Sequence, residues 1–413
     1  MAIDSNNKIP KSSIKQEQTE FTCSVKHEEI KGSKNLNVPP LRVPEFEGEW
    51  QLFKLGEIGK TYNGLTGKSR EDFGKGYPYI TYKSIFDSSK IEISRVEYVN
   101  ITEEELKKGS QNEVEYGDIF FTTSSETPRE VGMASVLLDN INHCYINSFC
   151  FGYRLNRTDV HLPEFMRFYL RAQLIRRKLF ILAQGSTRFN ISKNEVMRMR
   201  IPLPKTIEQS KIAKILTLID ERIATQSRII DKLQSLMSGI AESLTTNNTP
   251  NTKIADCLVC HSYTLQENQI GPSGEYRVYG ASGICGFTDQ PEVKTDSILI
   301  VKDGSGVGTV TYADGEYSVI GTSNYLTAKD GYLLRYLYYC LMCFNFTPYK
   351  TGMAIPHIYF KDYGKAKIYC PPIKEQTKIA TALSKIESKI ETELSILQQY
   401  TIQKRHLLQQ MFI

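Results

Sequence analysis

This chain of 413 residues has one tryptophan, six scattered histidines and no long hydrophobic run. A membrane span needs about 18 apolar residues in a row, and the longest candidate, Tyr332 to Phe346, is interrupted by Arg335. The opening Met1 to Lys8 has no apolar stretch of the secretory kind, so a cytoplasmic chain with no membrane association is expected. Charge of one sign is also lacking: 51 Lys and Arg against 46 Asp and Glu leave only +5, so any attraction to an acidic partner must come from local placement.

Catalytic signatures are missing too. There is no G-x-S-x-G, which with so few histidines argues against a hydrolase triad. Glu292-Val293-Lys294 resembles half of a nuclease carboxylate motif, but no Pro-Asp dipeptide supplies the other half. The methyltransferase tetrapeptide Asn/Asp-Pro-Pro-Tyr/Phe is absent, the nearest strings being Cys370-Pro371-Pro372-Ile373 and Asn345-Phe346-Thr347-Pro348-Tyr349. Lys302 to Gly308 is glycine-rich and follows the strand-like Ser297 to Val301. A phosphate cradle would open a helix there, whereas Thr309 to Tyr312 continues as a strand, so a turn is expected.

The chain does hold enough apolar material for ordinary interiors, 40% of its residues, and its length favours at least two cores. Nine cysteines suit reduced thiols better than a disulfide framework. Cys257-Leu258-Val259-Cys260-His261 spells a haem-attachment pattern, but that chemistry belongs outside the cytoplasm. With Cys340 and Cys343 it gives two C-x2-C pairs, for which zinc binding and buried core thiols are the two readings.

The most informative feature is a repeat. Pro204, Glu208, Gln209, Lys211, Ile212 and Ala213 recur as Pro371, Glu375, Gln376, Lys378, Ile379 and Ala380, all six at one identical offset. The register extends upstream to Gly185 and Ile191, matched by Gly352 and Ile358. Farther upstream it drifts, with Asp118 to Phe121 loosely matching Ser297 to Ile300. In the first copy Ile212, Leu216, Ile219, Ile223, Gln226, Ile230, Leu233, Met237 and Ile240 advance by alternating steps of four and three, the seam of a coiled coil. Ile379, Leu383, Ile386, Ile390, Glu393, Leu397 and Tyr400 keep that rhythm in the second, and Glu393 interrupts it at the repeat position of Gln226. Each helix exposes a stripe that it must bury, and the simplest partner is the other helix of the same chain. Thr206 with Gln209 predicts a capping box for the first helix; Ile373 cannot cap the second.

Charge is concentrated. Arg154 to Arg200 holds eleven Lys or Arg against three acids, while Arg42 to Tyr153 holds twelve against eighteen. The basic stretch includes Arg167, Arg171, Arg176, Arg177, Lys178, Arg188, Lys193, Arg198 and Arg200, mixed with aromatic residues, and a weaker bias recurs from Arg335 to Lys367. Two readings stand: a solvated helix face, and a surface that contacts phosphates.

With the leading segment Val38 to Trp50, the strand Gly117-Asp118-Ile119-Phe120-Phe121, and Ile201-Pro202-Leu203-Pro204 running into the repeated Glu-Gln helix, the chain resembles the specificity subunits of type I restriction-modification enzymes. The second domain departs from the pattern, with Thr295-Asp296-Ser297 in place of Gly117-Asp118. The resemblance implies an α+β chain: two mixed α/β target recognition domains separated by two long helices that form an antiparallel intramolecular coiled coil with pseudo-two-fold symmetry. The divisions are a flexible arm at 1–40, a first recognition domain at 41–204, a spacer helix at 205–245, a second domain at 246–372 and a second spacer helix at 373–413. It further implies a non-catalytic subunit whose domains each read half of a bipartite, asymmetric double-stranded DNA site. Two methyltransferase subunits and motor-nuclease subunits are the implied partners, and S-adenosylmethionine, ATP and magnesium are expected on those partners, with no cofactor or metal on this chain. A self-contained DNA-modifying or DNA-cutting enzyme and a coiled-coil scaffold are the alternatives.

Glu208, Gln209, Ile212, Leu216, Ile219, Ile223, Gln226, Glu375, Gln376, Ile379, Leu383, Ile386, Ile390 and Glu393 are assigned to the spacer helices and subunit docking. Arg188 and Lys350, in matching loops before each helix, are expected to hold phosphate. Lys83, Ser84, Thr122, Thr123, Ser124 and Ser125 in the first domain, and Tyr279, Lys302, Asp303 and Ser305 in the second, sit at expected strand ends and are candidates for base edges.

Overall fold

The computed structural model describes residues 37–246, 248–262, 265 and 270–412; of the arm at 1–40, residues 1–36 lie outside the described residues. The described chain is already tied down before Leu41, because the Asn37 carbonyl accepts a hydrogen bond from the Trp50 amide at 2.7 Å. Two compact units are present. One holds the described residues through Thr225 together with Leu397 onward, and the other holds Gln226–Ile396.

In the first unit a four-stranded antiparallel sheet runs in the order Gly59–Asn63, Cys150–Leu155, Ile119–Thr122, Ala134–Val136. A smaller sheet pairs Glu97–Val99 with Phe73–Ile80, and the latter, in parallel, with Tyr145–Ile146. The second unit repeats this plan. Leu258–Ser262, Ser323–Ala328, Ser297–Val301 and Val310–Ala313 form the larger sheet, and Gly283–Thr288, Tyr276–Gly280 and Tyr317–Val319 the smaller. The strand starting at Gly59 corresponds to the one starting at Leu258, and the strand starting at Arg200 to the one starting at Lys367, so the offset between the copies shrinks along the chain. Part of this drift is the segment 100–118, which carries the helix Glu103–Lys108, where the second unit has only the short 289–296.

The apolar run at Ile119–Thr122 is continuous because both faces of its sheet are covered. Ile119 and Phe121 enter the main core with Phe151, Phe165, Tyr169 and Leu216, while Phe120 enters a second cluster with Ile80, Ile85 and Ile146. The Gly304–Gly308 segment is the expected turn: Gly304 and Gly308 have φ of 95° and 90°, and the Gly308 amide donates to the Val301 carbonyl at 2.8 Å.

The long helices span Thr206–Thr246 and Ile373–Gln410. Their seams are inward: Ile212, Leu216, Ile219, Gln226, Ile230 and Met237 are buried, as are Ile379, Leu383, Ile390 and Glu393. The Asp220 carboxylate meets Lys404 at 2.6 Å, the Arg222 guanidinium lies 5.8 Å from the Tyr400 ring centroid, and Gln226 meets Glu393. One number rises as the other falls, so the helices run antiparallel.

The capping box is a correction. Thr206 donates instead to the Val160 carbonyl at 3.0 Å, and the helix starts at Thr206 itself, so this residue is not placed to cap it. Gln209 turns inward: its Oε1 accepts from the Leu162 amide at 2.9 Å, and its Nε2 donates to Pro204 O at 2.9 Å and Val160 O at 3.2 Å. Gln376 repeats this with the Leu333 amide at 2.9 Å and the Pro371 carbonyl at 2.8 Å.

Candidate DNA interface

Each domain builds a tight hairpin just upstream of its long helix. In the first, Gln184 and Asn190 exchange backbone hydrogen bonds of 2.9 and 2.8 Å; in the second, Thr351 and His357 do so at 2.9 and 2.8 Å. Glycine is required directly after the opening residue. Gly185 and Gly352 have φ of 137° and 88°, and a Cβ there would lie 2.1 Å from Arg188 O and 2.4 Å from Ile355 O. The residue after the closing one zips onto a strand end. Ile191 N donates to Thr123 O, and Ile358 N to Lys302 O, both at 2.9 Å. Thr123 and Lys302 are therefore equivalent, as are Arg188 and Ile355.

Several expected contacts fall together at this frame. In the first domain Ser124 and Ser125 pair with Asn190 and Phe189. A cleft of about 610 Å³ is lined there by Tyr82, Phe86, Ser124, Ser125, Glu126, Glu130, Phe149, Thr187 and Arg188. The Arg188 guanidinium sits 5.8 Å from the centroid of the exposed Phe149 ring, and the Tyr82 and Phe86 rings stack with centroids 6.0 Å apart. Lys83 is exposed on the helix Tyr82–Asp87. In the second domain Gly304 N donates to Pro356 O at 3.0 Å, which holds Lys302, Asp303 and Ser305 beside the hairpin; Lys350, just before it, is exposed.

Other candidates are corrected. Thr122 is wholly buried and its hydroxyl accepts from the Met133 amide at 3.0 Å, so it cannot meet a base. Tyr279 is buried against Tyr317 with ring centroids 5.4 Å apart. Ser124 borders the cleft but is buried at 4% exposure, and its carbonyl accepts from the Tyr82 hydroxyl at 2.6 Å. Ser84 is occupied as a partner of Thr81 at 2.9 Å, and the Thr123 hydroxyl donates to Phe149 O at 2.7 Å.

The basic stretch is partly internal. Arg171 donates to the carbonyls of Ala134, Ile85, Phe86 and Ser88 at 2.6 to 2.9 Å, and Arg176 to those of Gly132, Arg129 and Val131 at 2.7 Å. Burial pulls both guanidinium groups down to about 10. They brace segments of the cleft wall and do not face a phosphate. Arg167 pairs with Asp220, and Arg335 with Glu387. Asp220 and Glu387 stand at the same offset as Pro204 and Pro371, so both domains clamp the helix at one repeat position. Lys178 donates to Arg200 O at 2.5 Å, Lys193 pairs with Asn63, and Arg198 with Glu195 at 2.8 Å. Arg177, Arg188 and Arg200 remain exposed.

The helix residues assigned to docking face inward for the most part. Arg42 donates to both Glu208 oxygens at 2.8 and 2.7 Å, and Trp50 Nε1 reaches the same carboxylate at 3.2 Å. Glu208, Gln209 and Gln376 thus lock each helix to its own unit, while Glu375 is exposed. Sequence reasoning missed Phe149, Phe86 and Glu130 as cleft residues, and nothing in their local pattern marks them. Cys257 and Cys340 are buried, and among the described residues no three His, Cys, Asp or Glu side chains gather as a metal site would require. Among them, too, no helix is long and apolar enough to cross a membrane.

Two copies of one sheet plan, each with a hairpin beside a strand end and each clamped to a long helix, define a duplicated recognition scaffold. The profile of the type I restriction modification DNA specificity domain matches residues 47–235 and again 257–399, so the chain belongs to that family and carries the domain twice. It is 25% identical over 404 residues to a Methanocaldococcus jannaschii protein provisionally named the specificity subunit of the type I restriction enzyme MjaX, covering 87% of this chain and 91% of that one. Over 192 residues, 45% of this chain and 42% of the relative, it is 28% identical to the MjaIX specificity subunit of the same organism. In fold it is similar to the crystal structure of the type I system S subunit from M. genitalium, with a TM-score of 0.63 and 16% identity over 91% of this chain and 99% of that one. The chain is a type I DNA specificity subunit.

Proposed function

We propose that each recognition domain reads one half of a bipartite, asymmetric site in double-stranded DNA, and that the long helices set the gap between the halves. The observation that supports this is one frame with two sets of side chains. Thr123 and Arg188 in the first domain stand where Lys302 and Ile355 stand in the second, so the scaffold is constant and the side chains it presents differ. The chain itself supplies no chemistry in this reading. Methyl transfer belongs to two modification subunits that bring S-adenosylmethionine, and cleavage to motor-nuclease subunits that bring ATP and magnesium. Docking of the modification subunits falls to outward residues of the first helix, because its seam is consumed by the partner helix. Ile207, Ile215, Leu218, Ile229 and Leu236 are exposed there.

The test is reconstitution with methylation mapping. The purified chain is expected to show neither methyl transfer nor cleavage until the partner subunits are added. A host carrying the complete system is expected to show methylation at one split site. Turnover by the isolated chain, or an unsplit site, would overturn the reading.

A further inference from the structure

We propose that the hairpin of the second domain is an apolar wedge, whose Met353 and Ile355 side chains enter the base stack of the second half-site and unstack one step, whereas the first domain's hairpin does not. The proposal rests on reading both hairpins as DNA-facing.

Met353 is fully exposed and Ile355 is 66% exposed, two large apolar side chains at the end of a tight hairpin. The hairpin holds them there. It is closed by the Thr351 and His357 pair, turned at Gly352, and pinned behind the tip by the bond from Gly304 N to Pro356 O. His357 Nδ1 lies 3.2 Å from Ile355 O, which further fixes the descending arm.

The surroundings suit a duplex better than a protein surface. Lys350 directly precedes the hairpin, Lys302 is joined to its far end through Ile358, and Lys361 lies 5.1 Å from the Tyr359 ring centroid. An apolar point flanked by cations complements a base stack flanked by phosphates. Proteins that unstack a base step do so with such wedges, chiefly Phe, Leu, Ile, Met and Pro, and thereby kink the duplex. The equivalent tip in the first domain is Ser186-Thr187-Arg188, with nothing apolar to insert.

The experiment uses the complex of the full chain with its modification subunits and a duplex carrying the site found by methylation mapping. 2-Aminopurine is placed in turn at positions across the second half-site and its flanks, leaving the methylated base itself unsubstituted. Wild-type complex is expected to raise the fluorescence at one step and to bend an end-labelled duplex. The M353S/I355S variant is expected to lose both signals and to bind cognate DNA about ten-fold more weakly with an unchanged salt slope, and M353L to retain them. Both side chains are exposed, so folding is expected to be unaffected, as an unchanged thermal melt would confirm. A fluorescence rise that persists in the double serine variant, or no rise in the wild type, overturns the proposal. Loss of the modification subunits from the variant also overturns it, by showing the tip to be a protein contact. Failure of the wild-type complex to bind the mapped duplex would instead bring down the underlying reading of the hairpins, and the wedge with it.

Discussion

At the level of single side chains, Arg188 is expected to position DNA and Lys302 to read it. Arg188 is exposed above a cleft, at a hairpin tip where no protein acceptor claims its guanidinium among the described residues, which suits a phosphate. Lys302 is half-buried in the strand-end frame, with its backbone fixed from both sides. Arg188→Ala is expected to weaken cognate and unrelated duplex equally and to lower the salt slope by about 1, whereas Lys302→Ala is expected to cost about 1–3 kcal/mol on cognate DNA only. Gel shifts on both duplexes across a salt series distinguish these, and relaxed specificity at the first half-site in Arg188→Ala would reverse the assignment. A second prediction concerns stability. Glu208 is 2% exposed, and Arg42→Ala would leave its carboxylate with Trp50 Nε1 as its one remaining side-chain partner among the described residues. A loss of about 3 kcal/mol in denaturant unfolding of the chain is expected. Residue roles were the least legible part of the sequence. Polar character at a strand end did not reveal that Thr122 points inward, and a run of arginines looked like a phosphate surface although Arg171 and Arg176 are engaged by backbone carbonyls of their own domain. Charge type was readable; direction depended on a fold that brings distant segments of the chain together.

The helices were legible because coiled-coil spacing is local, and the alternating steps of four and three need no tertiary knowledge. Their polar interruption carries more. Gln226 and Glu393 are equivalent in the repeat, and they face one another: Gln226 Nε2 donates to the Glu393 carboxylate and to its backbone carbonyl at 3.1 Å. Equivalent positions of an antiparallel pair can meet only where the pair maps onto itself, so this contact fixes the register. The Lys389 ammonium at 2.5 Å, aided by Gln226, holds the Glu393 carboxyl below the usual carboxylate range. The folded group has the lower pKa, so its contribution is present above the unfolded value near 4.5 and is lost as pH falls through the folded value. Melts followed by helical circular dichroism are expected to show Tm falling from pH 6 toward pH 3, and by less in Glu393→Gln. An equal fall in both would remove the carboxylate from the account. The capping expectation failed on the same scale, because Thr206 and Gln209 have nearby carbonyls to serve that belong to another segment of the first domain.

At the scale of the whole molecule, duplication was sharp where the offset stays constant and only loosely visible upstream of it. From Gly185 onward both copies keep one register, but upstream the matching strands drift, and the shorter connection at 289–296 accounts for part of that shift. The two sheets nevertheless share one order, which hydrophobic pattern alone did not disclose, since strand pairing between distant segments leaves no local mark. What the constant stretch preserves is the coupling of domain to helix: the hairpin, the inward glutamine, and the acids Asp220 and Glu387 that Arg167 and Arg335 clamp. In the proposed reading each recognition domain is thereby fixed to its own stretch of helix, and spacer length is an independent variable. Seven residues turn a helix by about 20° less than two full turns and extend it by about 10 Å, or about three base pairs. One heptad inserted beside Gln226 and one beside Glu393 would keep the seams facing and the register contact paired. Methylation sequencing of a host carrying this variant is expected to return the same two half-sites separated by a gap about three base pairs longer. Changed letters within either half, with the gap unaltered, would show that the helices take part in reading and do not merely hold the two readers apart.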